Sequence, residues 1–181
     1  FGTKRRLPQI YSNDKQEVAY AIRLGLNFPC QGAAANMTNF GAILVYWLMR
    51  QGKLPRMLEV ATVHDAAYFY SKPEYINTWT VFKIWDILRN PSTKKYFGFQ
   101  VDDVDMSMDF SIGRSMAEEL PFIPGYDYRK MLQPDFSVEE YMEEHKKYKN
   151  VIIKDYPKLF SKEIKQYEED FKGKLRLHWL T

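Results

Sequence analysis

The chain has 181 residues, 45% of them hydrophobic and 16% aromatic, with a formal net charge of +3. That length suits one domain or a large part of one, and the apolar content allows a packed core and excludes intrinsic disorder. The single Cys30 excludes an internal disulfide framework and a cysteine-based zinc cluster, and no apolar run approaches the ~18 residues of a membrane span.

The charge is unevenly spread. Lys4, Arg5, Arg6, Lys15, Arg23, Arg50, Lys53 and Arg56 in the first third face only Asp14, Glu17 and Glu59. Asp102, Asp103, Asp105 and Asp109 form a later acidic stretch. A basic front end suits a polyanionic partner, and equally an ordinary solvated face.

Gly2, the basic triplet and Pro8 predict a turn and an extended segment over residues 1–12. Val18, Ala21, Ile22 and Gly25 recur at helical spacing and predict a short helix over 13–26. Pro29 then heads a second, longer helix over 31–51, about 30 Å long and closed by Gly52. Ala34, Met37, Gly41, Leu44 and Leu48 line one of its faces. The small residues at 32–35 leave its first turns open to close approach.

Residues 60–69 run apolar and β-prone up to His64-Asp65 and resume afterwards, which predicts a hairpin with those two at its tip. A carboxylate on a tight strand end is well placed to hold a divalent metal, although such pairs are also ordinary turn chemistry. Residues 74–89 carry Ile76, Trp79, Val81, Phe82, Trp85 and Leu88 on an amphipathic helix ended by Pro91. Alternation in Phe97, Phe99 and Val101 predicts a strand over 96–109. The expected class is α+β, with helices packed on a mostly antiparallel sheet.

From about residue 117, Pro121, Pro124 and Gly125 read as a linker. Ser137-Val138-Glu139-Glu140 is a capping box that opens a helix to about residue 149, and Pro157 begins another to about 172. Both helices mix charges of either sign, as solvated surfaces do. The expected division is therefore 1–116, followed by a charged helical extension over 117–181.

Three stretches carry more than fold. They are Arg5-Arg6-Leu7-Pro8, the run from Arg23 through Asn27, Pro29, Gln31 and Gly32 to Asn36, and Val63-His64-Asp65. In that order they resemble the C-terminal palm and fingers portion of a family A DNA polymerase, the DNA polymerase I type, in a phage-like form. The resemblance runs to about Arg114, and the middle motif is its most specific part. It implies a DNA-directed DNA polymerase that adds dNTPs to a primer 3′ end on primer–template DNA.

Under that resemblance Arg6, Arg23, Asn27, Gln31 and His64 bind DNA, with His64 at the primer terminus. Asp65 and His64 are catalytic, and Asp65 is a metal ligand for one of two Mg2+ ions about 4 Å apart. Such an enzyme holds DNA of any sequence, so it should read the minor-groove acceptors that every base pair shares. Arg23, Asn27 and Gln31 can all donate to them. Their spacing of four would align them on one helix, but Pro29 is expected to start a helix between them, so that they converge from a helix end and its lead-in. Read alone, Gln31 is a helix-start polar residue and Arg23 an exposed helix charge.

Two positions depart from the family. Ala66 stands where a Glu follows the metal Asp, and Asn36 where an Asp is usual. The family's other metal Asp and its nucleotide-binding helix lie upstream of the matching region. The chain, which begins at Phe1, is therefore expected to be a fragment or one half of a split polymerase, its C-terminal helices clamping the remainder. Its expected location is cytoplasmic, in the host cytoplasm if phage-encoded. Two rivals stand beside this reading. One is a non-catalytic polymerase remnant that binds DNA or a partner. The other is a His-Asp metal phosphohydrolase, for which His64, His145 and His178 are few.

Overall fold

The computed structural model describes residues 4–63, 66–89 and 108–174, without the side chains of 172–174. These residues form an α+β fold in which helices surround two separate two-stranded antiparallel sheets. Among the described residues there is no larger sheet for the helices to cover.

The first helix corrects the expectation of two. Helix α1 runs unbroken from Lys15 to Arg50, 36 residues with Pro29 inside it, and is about 54 Å long. A mid-helix proline removes one backbone bond and crowds the carbonyl four residues back, at a cost of about 3 kcal/mol. Both flanks offset that here. Asp14 caps the start by accepting from the Gln16 N–H at 2.7 Å, and the far half buries Met37, Gly41, Ala42, Val45 and Met49. Gly52 ends the helix as expected, at φ 69°. Ala34 is exposed, so the predicted apolar face begins at Met37. Ahead of α1, Pro8–Tyr11 forms a 3-10 turn where an extended segment was expected, proline's fixed φ suiting a first helical position.

The hairpin is as predicted. Strand β1, Leu58–Val63, pairs antiparallel with β2, Ala66–Tyr70, from Leu58 opposite Tyr70 to Val63 opposite Ala66, with a bulge at Val60. Opposed residues share a face. Glu59, Thr62, Ala67 and Phe69 therefore lie on one side, where the Thr62 hydroxyl donates to Glu59 at 3.0 Å and Phe69 packs into the core. Leu58, Ala61, Val63, Ala66, Tyr68 and Tyr70 make the other side wholly apolar, yet Leu58 is 62% and Tyr70 71% exposed.

Helix α2 spans Thr78–Arg89, starting four residues later than expected because Pro73–Tyr75 forms a 3-10 turn. Asn77 accepts from the Thr80 N–H at 3.0 Å at its start. It crosses α1 closely. A Cβ on Gly41 would sit 2.7 Å from Leu88 Cδ2 and 3.3 Å from Leu88 Cα, so glycine lets the helices meet. Val45, Met49, Leu54, Trp79, Ile84 and Leu88 form the core of that crossing. Residues 90–107, which hold Pro91, most of the predicted strand and Asp102, Asp103 and Asp105, lie outside the described residues. Asp109 is exposed and precedes strand β3, Ser111–Ile112, so residues 108–110 are not strand.

The stretch read as a linker is core. Strand β4, Leu120–Pro121, pairs with β3, and Leu120, Phe122 and Ile123 are buried against Val81 of α2. The Gly125 N–H donates to Thr78 Oγ at 2.9 Å, with Gly125 at φ 76°. Proline and glycine here make a tight corner inside the fold. A 3-10 turn over Tyr128–Leu132 adds Tyr128 and Met131 to the same core.

Helix α3, Val138–His145, opens as predicted, the Ser137 hydroxyl accepting from the Glu140 N–H at 3.2 Å. It stops short of residue 149, and Lys146–Tyr148 continues as a 3-10 turn. The last predicted helix is two: α4, Tyr156–Leu159, and α5, Ser161–Lys174. Most of α5 is exposed, while Ile164 packs inward and Phe171 lies 5.2 Å from the Trp79 ring.

The second core is rich in buried phenols. Burial pushes Tyr141 and Tyr156 up to about 12 and raises Tyr128 as well. Their unfolded values lie near 10. A raised folded value contributes stability fully present below the unfolded value and lost as pH rises through the folded one. Urea midpoints should hold level up to about pH 9 and fall steeply between about pH 10 and 12. A midpoint unchanged across that window would contradict the burial of these phenols.

Candidate nucleic-acid interface

Helix α1 presents Arg23, Asn27 and Gln31 to solvent, one turn apart on an unbroken helix. They form a stripe about 12 Å long instead of converging from two elements, because the helix continues through Pro29. Asn36, further along, is half-buried.

The N-terminal segment lies against this part of α1. Leu7, half-buried in an otherwise exposed stretch, brings Cδ1 to 3.1 Å from where a Gly25 Cβ would stand. The Arg5 guanidinium lies 5.8 Å from the centre of the Phe28 ring, within cation–π range. Lys4, Arg5 and Arg6 are exposed. None of Arg5, Arg6 and Arg23 forms an ion pair among the described residues. Two of the three motif stretches thus touch, at Gly25 and Phe28. Sequence reasoning missed the Leu7–Gly25 and Arg5–Phe28 contacts. A glycine in mid-helix was the available signal.

The third stretch is only partly described. Val63 and Ala66 close the paired strands, and His64 and Asp65 between them lie outside the described residues. The root of the hairpin is anchored on the far half of α1. The Met57 N–H donates to Met49 Sδ at 3.1 Å, and Phe69 packs on the core that holds Val45. Val45 is about 21 Å along the helix axis from Gln31.

Among the described residues no group of three or more His, Cys, Asp or Glu side chains could hold a metal ion, and no helix is long and apolar enough to cross a membrane. Asp65, outside the described residues, would offer one carboxylate. Such a donor suits Mg2+, which keeps several waters and takes few protein ligands. No family model, curated protein or solved structure matches this chain.

Proposed function

We propose that this chain is part of a DNA-directed DNA polymerase of the family A type, extending a primer on a DNA template. The observation that carries the reading is the long motif from Arg23 to Asn36, whose groove-reading residue types form an exposed stripe on one helix. Uncharged donors beside an arginine suit minor-groove acceptors, and the neighbouring Lys4, Arg5 and Arg6 suit phosphates. Asp65 would hold Mg2+, which supplies charge stabilisation for phosphoryl transfer. His64 would meet the primer terminus. The dNTP site and the second carboxylate would come from another segment or a partner chain. The exposed apolar side of the β1–β2 hairpin supports such a covering element, since an isolated two-stranded ribbon is marginal in water. The location that follows is the cytoplasm, or a host's cytoplasm if the source is a phage.

The deciding experiment is Mg2+-dependent incorporation of a labelled dNTP by the native assembly that contains this chain, with the mass of each component measured. Template-directed incorporation supports the polymerase. An assembly that binds primer–template and adds no nucleotide is the non-catalytic remnant, a reading that Ala66 in place of an acid favours.

A further inference from the structure

We infer that Leu7 seated against Gly25 is a latch that holds the basic N-terminal segment on α1, where Arg5 and Arg6 are presented as phosphate-binding charges. The inference rests on the nucleic-acid reading above and adds positioning residues to it.

Gly25 is the starting point. A glycine inside a helix costs about 1 kcal/mol relative to alanine, so its presence calls for a local reason. Backbone conformation is not that reason, because Gly25 is helical and only Gly52 and Gly125 have positive φ among the described glycines. Space is. At 3.1 Å from Leu7 Cδ1, a Cβ would be tighter than ordinary van der Waals contact. The missing side chain leaves a notch, and Leu7 occupies it.

Phe28 lies three residues on from Gly25, on a neighbouring part of the same helix face. Its ring receives Arg5, so the segment is held at two points, one apolar and one cation–π. The 3-10 turn over Pro8–Tyr11 and the Asp14 cap return the chain from this segment into the helix start. With no ion pair neutralising Arg5 or Arg6 among the described residues, their charge is available to a polyanion. A segment ordered before binding loses less freedom on binding, which is the advantage of a latch.

The test is salt-dependent binding of a fluorescent duplex primer–template to the complete protein. Each phosphate contact adds about 0.9 to the slope of log affinity against log salt. Replacing both arginines (Arg5→Ala with Arg6→Ala) should lower that slope by about 1.8. Leu7→Ser, made on the outer segment so that the helix is untouched, should lower it by the same amount. Gly25→Leu, which fills the notch, should do likewise. Adding the arginine changes to Leu7→Ser should then change nothing further, a result that general destabilisation would not give. A wild-type slope in Leu7→Ser, with a reduced one in the arginine variant, overturns the latch and leaves the surface standing. A wild-type slope in the arginine variant overturns both latch and surface while DNA binding persists. Wild-type protein that binds no duplex overturns the nucleic-acid reading itself.

Discussion

On the proposed polymerase function, replacing Asp65 by alanine in the native assembly that contains this chain is expected to cut single-turnover primer extension on the order of 10³-fold, while affinity for primer–template stays within about threefold. The two effects would separate because the two proposed functions fall on different parts of the chain. The proposed groove and phosphate contacts are on α1 and the segment before it, and Asp65 belongs to the hairpin sequence that follows. The reaction asks little covalent chemistry of the protein, so its rate depends on positioning and on hard oxygen ligands near the transferred phosphoryl group. Losing one such ligand removes about 4 kcal/mol of transition-state stabilisation, which is the 10³-fold stated. Asp65→Asn should fall as far as Asp65→Ala, because the charge matters and the side-chain volume does not. Rapid-quench incorporation of one dNTP reads this directly. Unchanged extension in either variant would remove Asp65 from catalysis and favour a DNA-binding remnant.

Tyr128→Phe should destabilise the fold by about 2 kcal/mol, lowering the melting temperature by about 4–8 °C. The Tyr128 hydroxyl accepts from the Ile123 N–H at 2.8 Å and donates to the Ile123 carbonyl at 3.0 Å. Tyr128 is 3% exposed and Ile123 fully buried, so water cannot replace either bond. An orphaned buried group costs about 1–3 kcal/mol, and the substitution orphans the Ile123 N–H, while the Ile123 carbonyl keeps the Tyr126 N–H at 3.3 Å. The hydroxyl also shapes the chain. It closes the corner that begins at the β4 strand, where Tyr141 donates a further bond to the Pro121 carbonyl at 2.7 Å. Tyr126 is the control. It stacks edge-on against Tyr128 and Tyr141 and is only half-buried, so Tyr126→Phe should cost less than about 0.5 kcal/mol. Urea denaturation of both variants decides it. Equal midpoints for Tyr128→Phe and wild type would mean the hydroxyl carries no structural role.

Much of the local architecture is written in the chain. The hairpin follows from β-prone residues on both sides of a polar pair, α2 from apolar residues at helical spacing, and the opening of α3 from the Ser137 cap. These signals involve residues within a few positions of each other, so the backbone answers them locally. The residue types of the stripe are likewise a property of sequence, since Arg23, Asn27 and Gln31 stand four apart whatever follows.

Other features were decided by contacts between distant residues. Pro29 signals a helix start, but the buried far half of α1 holds the helix through it, which turned a converging site into a stripe. Pro121, Pro124 and Gly125 signal a linker, and packing against α2 made them a corner of the core. The bulge at Val60 set which residues share a hairpin side, putting Leu58 with Ala61 and Val63 on an apolar side that alternation alone did not reveal. Leu7 meets Gly25 across a turn and a helix cap, a proximity no local pattern encodes. The sequence by itself determined the hairpin, α2, the opening of α3 and the residue types they carry, because propensity and capping act over a few residues. Tertiary structure decided which of those segments join, bury or remain open, because packing energy from distant partners outweighs a single proline or glycine signal.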